Sequence, residues 1–222
     1  MANEGINATL AADDQAQTDA YIAQMRAHAL FFDIDFKQSI GRGAHVDFEH
    51  GLSVRVADEI ITTRFDRHGR DDEWKQVPNG TYLSPQEFHE ALIREKLVST
   101  NDKNLDNDKN SSGDDDEKDE SIASGGACLL DVRNFYESRI GHFENAICPP
   151  VRANSQFGEY IDENLDLFRN KKVFCYCTGG IRCERFTSYL RYKGIDQVYQ
   201  LHGGIHRYIE QFPDGFFRGK NY

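Results

Sequence analysis

Residues 99 to 124 read STNDKNLDNDKNSSGDDDEKDESIAS, and no other stretch constrains the fold as strongly. Between residues 101 and 120 there are nine Asp or Glu against three Lys, with one Leu as the only large apolar side chain. Such a segment cannot bury enough apolar surface to offset the entropy lost on ordering, so it is expected to be a disordered linker or surface insertion. The chain must therefore build its cores on either side. Its 222 residues are enough for two domains. The expected divisions are a partial α+β domain over 1–62, a connecting segment with a helix over 63–98, the acidic linker over 99–124 and an α/β domain over 125–222.

The tract also accounts for much of the charge. The formal net charge is -11, of which the tract carries -6, while residues 170 to 222 hold nine Arg or Lys against four Asp or Glu. Whole-chain acidity is thus no argument against an RNA partner. With 39% apolar and 12% aromatic residues the composition excludes collagen-like, mucin-like and wholly disordered chains. All five cysteines, Cys128, Cys148, Cys175, Cys177 and Cys183, lie in the second half, which does not suit a disulfide framework. No apolar run approaches the roughly 18 residues that cross a bilayer, and the N-terminus has no signal-like pattern. The expectation is a cytoplasmic chain with free thiols and no membrane partner.

In the first domain, residues 6–10 (INATL), 31–37 (FFDIDFK) and 52–60 (LSVRVADEI) alternate as strands do, with Leu52, Val54 and Val56 on the inward side. A turn is expected near Gly41 and Gly43. A helix is predicted over residues 15–29, with Tyr21, Ile22, Met25 and Ala29 on one side. Ser84, Pro85 and Glu87 supply an N-cap, a first-turn proline and the third-position acid of a capping box, predicting a helix to about Leu97.

From Ala127 the pattern changes. Short apolar runs at 127–133, 172–177 and 197–201 alternate with helical stretches at 158–169, at 183–193 and from Gly203-Gly204 to about Gln211. That succession predicts a parallel sheet covered by helices on both faces, with ligand chemistry outside the carboxyl ends of its strands.

At one such end stands Cys177-Thr178-Gly179-Gly180-Ile181-Arg182-Cys183, between a strand and a helix. A cysteine there, followed by two glycines, can sit in a tight loop whose N–H groups face its sulfur and favour the thiolate. Arg182 adds a fixed charge with planar donors suited to an oxyanion or a sulfur oxyacid. The plainer alternative is an ordinary strand-to-helix turn around a small buried side chain, since free cysteine is often buried. Cys183 lies six residues on, a possible resolving thiol. Cys175 faces the same way as Val173 and reads as packing, as do Cys128 and Cys148. A zinc site from Cys175, Cys177 and Cys183 would need His202 or His206 from elsewhere, and no second metal-ligand pair completes it. No metal is therefore assigned. Arg185, Arg191, Lys193 and Arg207, interleaved with Tyr189, Tyr192, Tyr199 and Tyr208, are candidates for RNA contact.

With Asp131-Val132-Arg133 and Glu137, Gly141-His142 through Ala146-Ile147, the Cys177 to Arg182 loop and Leu201-His202-Gly203-Gly204-Ile205 in that order, residues 127–222 resemble the rhodanese family. The likeness implies that Cys177 carries sulfur as a persulfide, that Thr178 to Arg182 form the anion-binding loop and that Asp131 and Arg133 support it. Adding Glu4-Gly5-Ile6-Asn7-Ala8-Thr9-Leu10 and Leu83-Ser84-Pro85 with Glu87-Phe88-His89, the chain is most similar to the rhodanese-containing tRNA uridine hydroxylases. That resemblance implies a ferredoxin-like or acylphosphatase-like first domain, tRNA as partner and conversion of the wobble uridine to 5-hydroxyuridine with molecular oxygen as co-substrate. No iron triad, flavin motif or nicotinamide fingerprint is found, so no cofactor is identified. By the same resemblance the first domain is expected to lack an opening strand and helix, and the chain the cysteine-rich extension that many members carry. Two other readings remain open: transfer of sulfur from a small donor, and a noncatalytic rhodanese-fold interaction module.

Overall fold

The computed structural model describes residue 2 and residues 5–41, 51–64, 73–99 and 126–221. Most of the acidic tract and the predicted turn residue Gly43 lie outside the described residues. The chain divides into two units, Met1–Thr62 and Thr63–Tyr222.

In the first unit, helix α1 (Gln15–Arg26) starts where Asp14 accepts a hydrogen bond from the Gln17 N–H at 2.8 Å. It ends three residues short of the predicted limit, at an Ala27 cap, and none of its residues is buried. The three alternating segments are not strands among the described residues, where the unit's only bridge joins Ala2 and Gly5. Leu52, Val54 and Val56, expected to face inward, are 81%, 62% and 82% exposed. Alternation selects a strand only where a neighbouring strand takes up the backbone N–H and C=O groups, and among the described residues these segments join no ladder; the Ile34 and Phe36 N–H groups donate instead to the carbonyls of Phe31 and Ile34.

The second unit is built on four parallel strands: β1 (Thr81–Leu83), β2 (Ala127–Asp131), β4 (Lys172–Tyr176) and β5 (Val198–Leu201), in the order β1-β5-β4-β2. A separate antiparallel pair joins β3 (Gly141–Phe143) to β6 (Phe217–Gly219). The helices are α2 (Pro85–Arg94), α3 (Phe135–Ser138), α4 (Phe157–Glu163), α5 (Ile181–Tyr192) and α6 (Gly204–Gln211). Successive strand residues point to opposite faces and feed two cores. Cys128, Leu130, Val173, Cys175, Cys177 and Val198 meet Phe157, Ile161, Phe186 and Leu190 of α4 and α5. Leu129, Phe174, Tyr176 and Leu201 meet Phe88, Ala91 and Leu92 of α2 and Ile205 and Tyr208 of α6. Both faces are covered, as the succession of elements predicts.

The stretch read as a connecting segment supplies part of this unit. Thr81–Leu83 pairs with Tyr199–Leu201 as the edge strand. Trp74, in a short 3-10 turn at Glu73–Gln76, is fully buried edge-on against Tyr189 at 6.1 Å between ring centres. Helix α2 has the predicted capping box, Ser84 with Glu87. It stops at Arg94, before the predicted limit, because Lys96 takes φ 55° and the Leu97 N–H reaches back to the Leu92 carbonyl at 2.9 Å, a left-handed C-terminal cap. The helix predicted over 158–169 breaks at Asn164 into a 3-10 turn, Leu165–Leu167.

Candidate active site

Strand β4 ends at Tyr176, so Cys177 is the first residue past its carboxyl end and the loop leads directly into α5. Gly180, at φ 97°, turns the chain into that helix. Its N–H donates to the Cys177 sulfur at 3.1 Å. The sulfur lies on the floor of the loop, 1% of the residue being exposed. Burial alone would raise its pKa. The Cys183 thiol and N–H, the Arg182 charge and the Gly180 N–H outweigh it and bring the pKa down to about 6, so Cys177 is a thiolate at neutral pH. Burial and the neighbouring thiolate push Cys183 the other way, well above the usual thiol range, so it stays protonated as the donor of the pair. All five cysteines are free.

Arg182 is held by a partner outside the loop. Its two terminal nitrogens donate to Glu137 Oε2 at 2.6 Å and Oε1 at 2.7 Å, and Nη2 also donates to Thr178 Oγ1 at 3.0 Å. Glu137 sits in the first turn of α3 and also accepts from the Asn134 N–H at 3.2 Å. It is 4% exposed. Burial would raise its pKa, but the hydrogen bonds and charge of Arg182 hold the carboxyl below its ordinary range. The fork geometry fixes the guanidinium beside the loop. Sequence reading placed Glu137 only within a motif; what it missed was a tertiary pairing between residues 45 apart.

The loop's other wall is the second glycine pair. The Ile205 N–H donates to the Cys177 carbonyl at 2.9 Å and the His206 N–H to the Thr178 carbonyl at 3.1 Å. A Cβ on Gly204, which has φ 67°, would come within 2.5 Å of both carbonyl oxygens. Only glycine fits there.

Asp131 and Arg133 lie at and just past the end of β2, and their side-chain hydrogen bonds go to each other and to Gly141 rather than to the Cys177 loop. Both side chains are fully buried, joined at 2.6 Å, and Arg133 Nη2 also donates to the Gly141 carbonyl at 2.6 Å, tying the end of β2 to the start of β3. The four basic candidates are each engaged within the domain. Arg185 lies over the Trp74 ring at 5.8 Å, Lys193 pairs with Asp162 at 2.9 Å and Arg207 with Glu210 at 2.7 Å. Arg191 donates to the Asn79 carbonyl and to Thr81 Oγ1, bracing the edge strand. Of the interleaved tyrosines, Tyr189 and Tyr208 are fully buried. His202 is exposed, and His206 Nδ1 lies 3.3 Å from Glu210 Oε1. Among the described residues, no three His, Cys, Asp or Glu side chains are placed to hold a metal ion. Nor is any described helix long and apolar enough to cross a membrane.

Comparison with known proteins gives two family matches, a rhodanese-like domain over residues 114–211 and a UPF0176 acylphosphatase-like domain over residues 1–60. Three relatives bear the name tRNA uridine(34) hydroxylase. Those of Bacillus licheniformis, Oceanobacillus iheyensis and Shouchella clausii are 34%, 35% and 35% identical over 208 residues, 94% of this chain and 53% of each relative. The chain thus spans about half the length of the curated relatives it matches.

Proposed function

The chain belongs to the rhodanese-domain family, with an acylphosphatase-like domain ahead of the rhodanese domain, and on that premise we propose that it hydroxylates uridine 34 of tRNA, with Cys177 as the reacting group. Molecular oxygen is the co-substrate in this reading and the wobble uridine becomes 5-hydroxyuridine. The observation that carries the proposal is the run of 208 aligned residues shared with the named hydroxylases, which takes in the thiolate loop.

What the chain's own residues do follows from the site. The Gly180 and Cys183 N–H groups and the Cys183 thiol hold negative charge on the Cys177 sulfur. Arg182, pinned by Glu137, keeps a fixed positive charge beside that sulfur. Thr178 and the carbonyl contacts from Ile205 and His206 keep the loop from relaxing.

A second reading is supported by the same sulfur cradle. A thiolate ringed by N–H donors suits attack on the outer sulfur of a small donor such as thiosulfate, with sulfite leaving and a Cys177 persulfide remaining for transfer to an acceptor.

Mass spectrometry of tRNA separates the two. In a strain lacking the gene, the wobble nucleoside should lose the mass of one oxygen atom. The wild-type gene should restore it and Cys177→Ala should not. Unchanged tRNA in the deletion strain would sink the hydroxylase assignment. Addition of one sulfur mass to Cys177 on exposure to thiosulfate tests the second reading separately.

A further inference from the structure

Beside the thiolate loop, on the side of the edge strand, lies an exposed aromatic pair. Tyr82, in β1, is 46% exposed. Its ring meets the exposed His202 ring edge to face, 5.7 Å between centres. His202 follows β5, and its N–H donates to the Leu83 carbonyl at 2.8 Å, which sets the two rings at the same end of adjacent strands. The next residues, Gly203 and Gly204, close on the loop: the position of a Cβ on Gly180 lies 3.4 Å from the Gly203 nitrogen. The pair is therefore anchored one residue from the wall of the thiolate cradle.

A carboxylate completes the group. Tyr82 Oη donates to Glu184 Oε1 at 2.8 Å, and Glu184 is exposed in the first turns of α5, seven residues beyond Cys177. Asn79 Nδ2 also donates to Tyr82 Oη at 3.4 Å, so the hydroxyl has a partner on either side. The buried tyrosines Tyr189 and Tyr208 have no free face to offer.

We propose that Tyr82, His202 and Glu184 form a nucleobase-binding subsite, in which a base of the RNA substrate stacks on the Tyr82 ring, with His202 standing edge-on beside it, while Glu184 accepts a hydrogen bond from a base N–H. The inference rests on the RNA-modifying reading above and adds to it the place where a base is received. Two features select a base over other occupants. Aromatic faces stack on any base, which is how proteins hold unpaired nucleotides. A carboxylate repels phosphate but is an acceptor for the imide N–H of uracil, so the negative charge next to the ring matches a base edge and not the RNA backbone.

The test uses the full chain and a fluorescent RNA stem-loop with uridines in its loop. Stacking on one aromatic side chain is worth about 1–3 kcal/mol by alanine substitution, so Tyr82→Ala should weaken binding by about fivefold or more. Tyr82→Phe, which keeps the ring, should stay within about twofold of wild type. Photo-crosslinking of the same RNA carrying 4-thiouridine in the loop should label Tyr82 or His202. Equal affinity of Tyr82→Ala and wild type would overturn the subsite, as would a wild-type chain that does not bind the stem-loop. A Tyr82 ring that instead docks a protein partner would also leave RNA affinity unchanged in Tyr82→Ala. The tRNA of the deletion strain reports on the hydroxylase reading alone: lost modification with unaffected Tyr82→Ala binding would remove the subsite and leave that reading standing.

Discussion

Arg182 and Glu137 face each other through two nearly equal hydrogen bonds, 2.6 and 2.7 Å, and this fork joins the thiolate loop to the first turn of α3. The pair is nearly dry, with side-chain exposures of 14% and 6%. Removing one member of such a pair leaves the other charge buried and alone.

Glu137→Ala should therefore cost about 3 kcal/mol of stability, read by chemical denaturation, and abolish tRNA modification. Because its folded pKa is depressed, the carboxylate contributes stability that is present above its unfolded pKa and is lost as pH falls through the lower folded value. The difference between wild type and Glu137→Gln should accordingly shrink in strong acid.

Alkylation by iodoacetamide should be carried by Cys177 with a midpoint at about pH 6 and a plateau above it, since only the thiolate reacts. Cys128, buried and pushed up to about 11 by that burial, should label slowly at neutral pH. A Cys177 midpoint near the ordinary thiol value of about 8.5 would refute the cradle as described.

Cys183→Ala removes a thiol donor from Cys177 while leaving the Gly180 N–H and the Arg182 charge in place. The alkylation midpoint should move up towards neutral pH, with the plateau rate preserved. A midpoint unmoved from wild type would show that the N–H groups and Arg182 suffice.

Gly204→Ala should disable the loop without touching the sulfur. The new methyl group would press on the carbonyls of Cys177 and Thr178 at 2.5 Å, and the residue would be held at φ 67°. A strained left-handed position costs about 1 kcal/mol before any clash is counted. The expected result is a lower melting temperature together with slower Cys177 alkylation.

Trp74→Ala should lose about 3–5 kcal/mol, as truncation of a fully buried large aromatic does. A loss near zero would mean that residues 73–76 are not part of the second unit's core.

The parallel sheet was legible because three of its four strands are apolar runs bounded by turn residues and followed by helical periodicity, and the reactive loop because two glycines and an arginine follow a cysteine at a strand end. The fourth strand, Thr81–Leu83, was not. Three residues give no period to detect, and its pairing with β5 depends on a partner more than a hundred positions away. The β3–β6 pair escaped for the same reason. Alternation misled at Leu52, Val54 and Val56, where the pattern of a strand exists but no described neighbour completes a ladder. At the site, Cys177 could be named from its neighbours in sequence, whereas Glu137 as the anchor of Arg182 and the Tyr82–His202 pair arise only when separate elements meet. The basic residues show the converse. Arg191 and Lys193 have the charge of an RNA contact but are held by Asn79 and Asp162 within the fold.

Strand β1 and the Trp74 turn come before the acidic tract, while every strand they help to cover comes after it. The link between β1 and β5 is therefore made by backbone pairing and by Arg191, not by the peptide that joins residues 99 and 126. Cleaving that peptide should leave two polypeptides that stay associated, so the second unit lends itself to expression as complementing fragments, with the return of a reactive Cys177 thiol reporting their reunion.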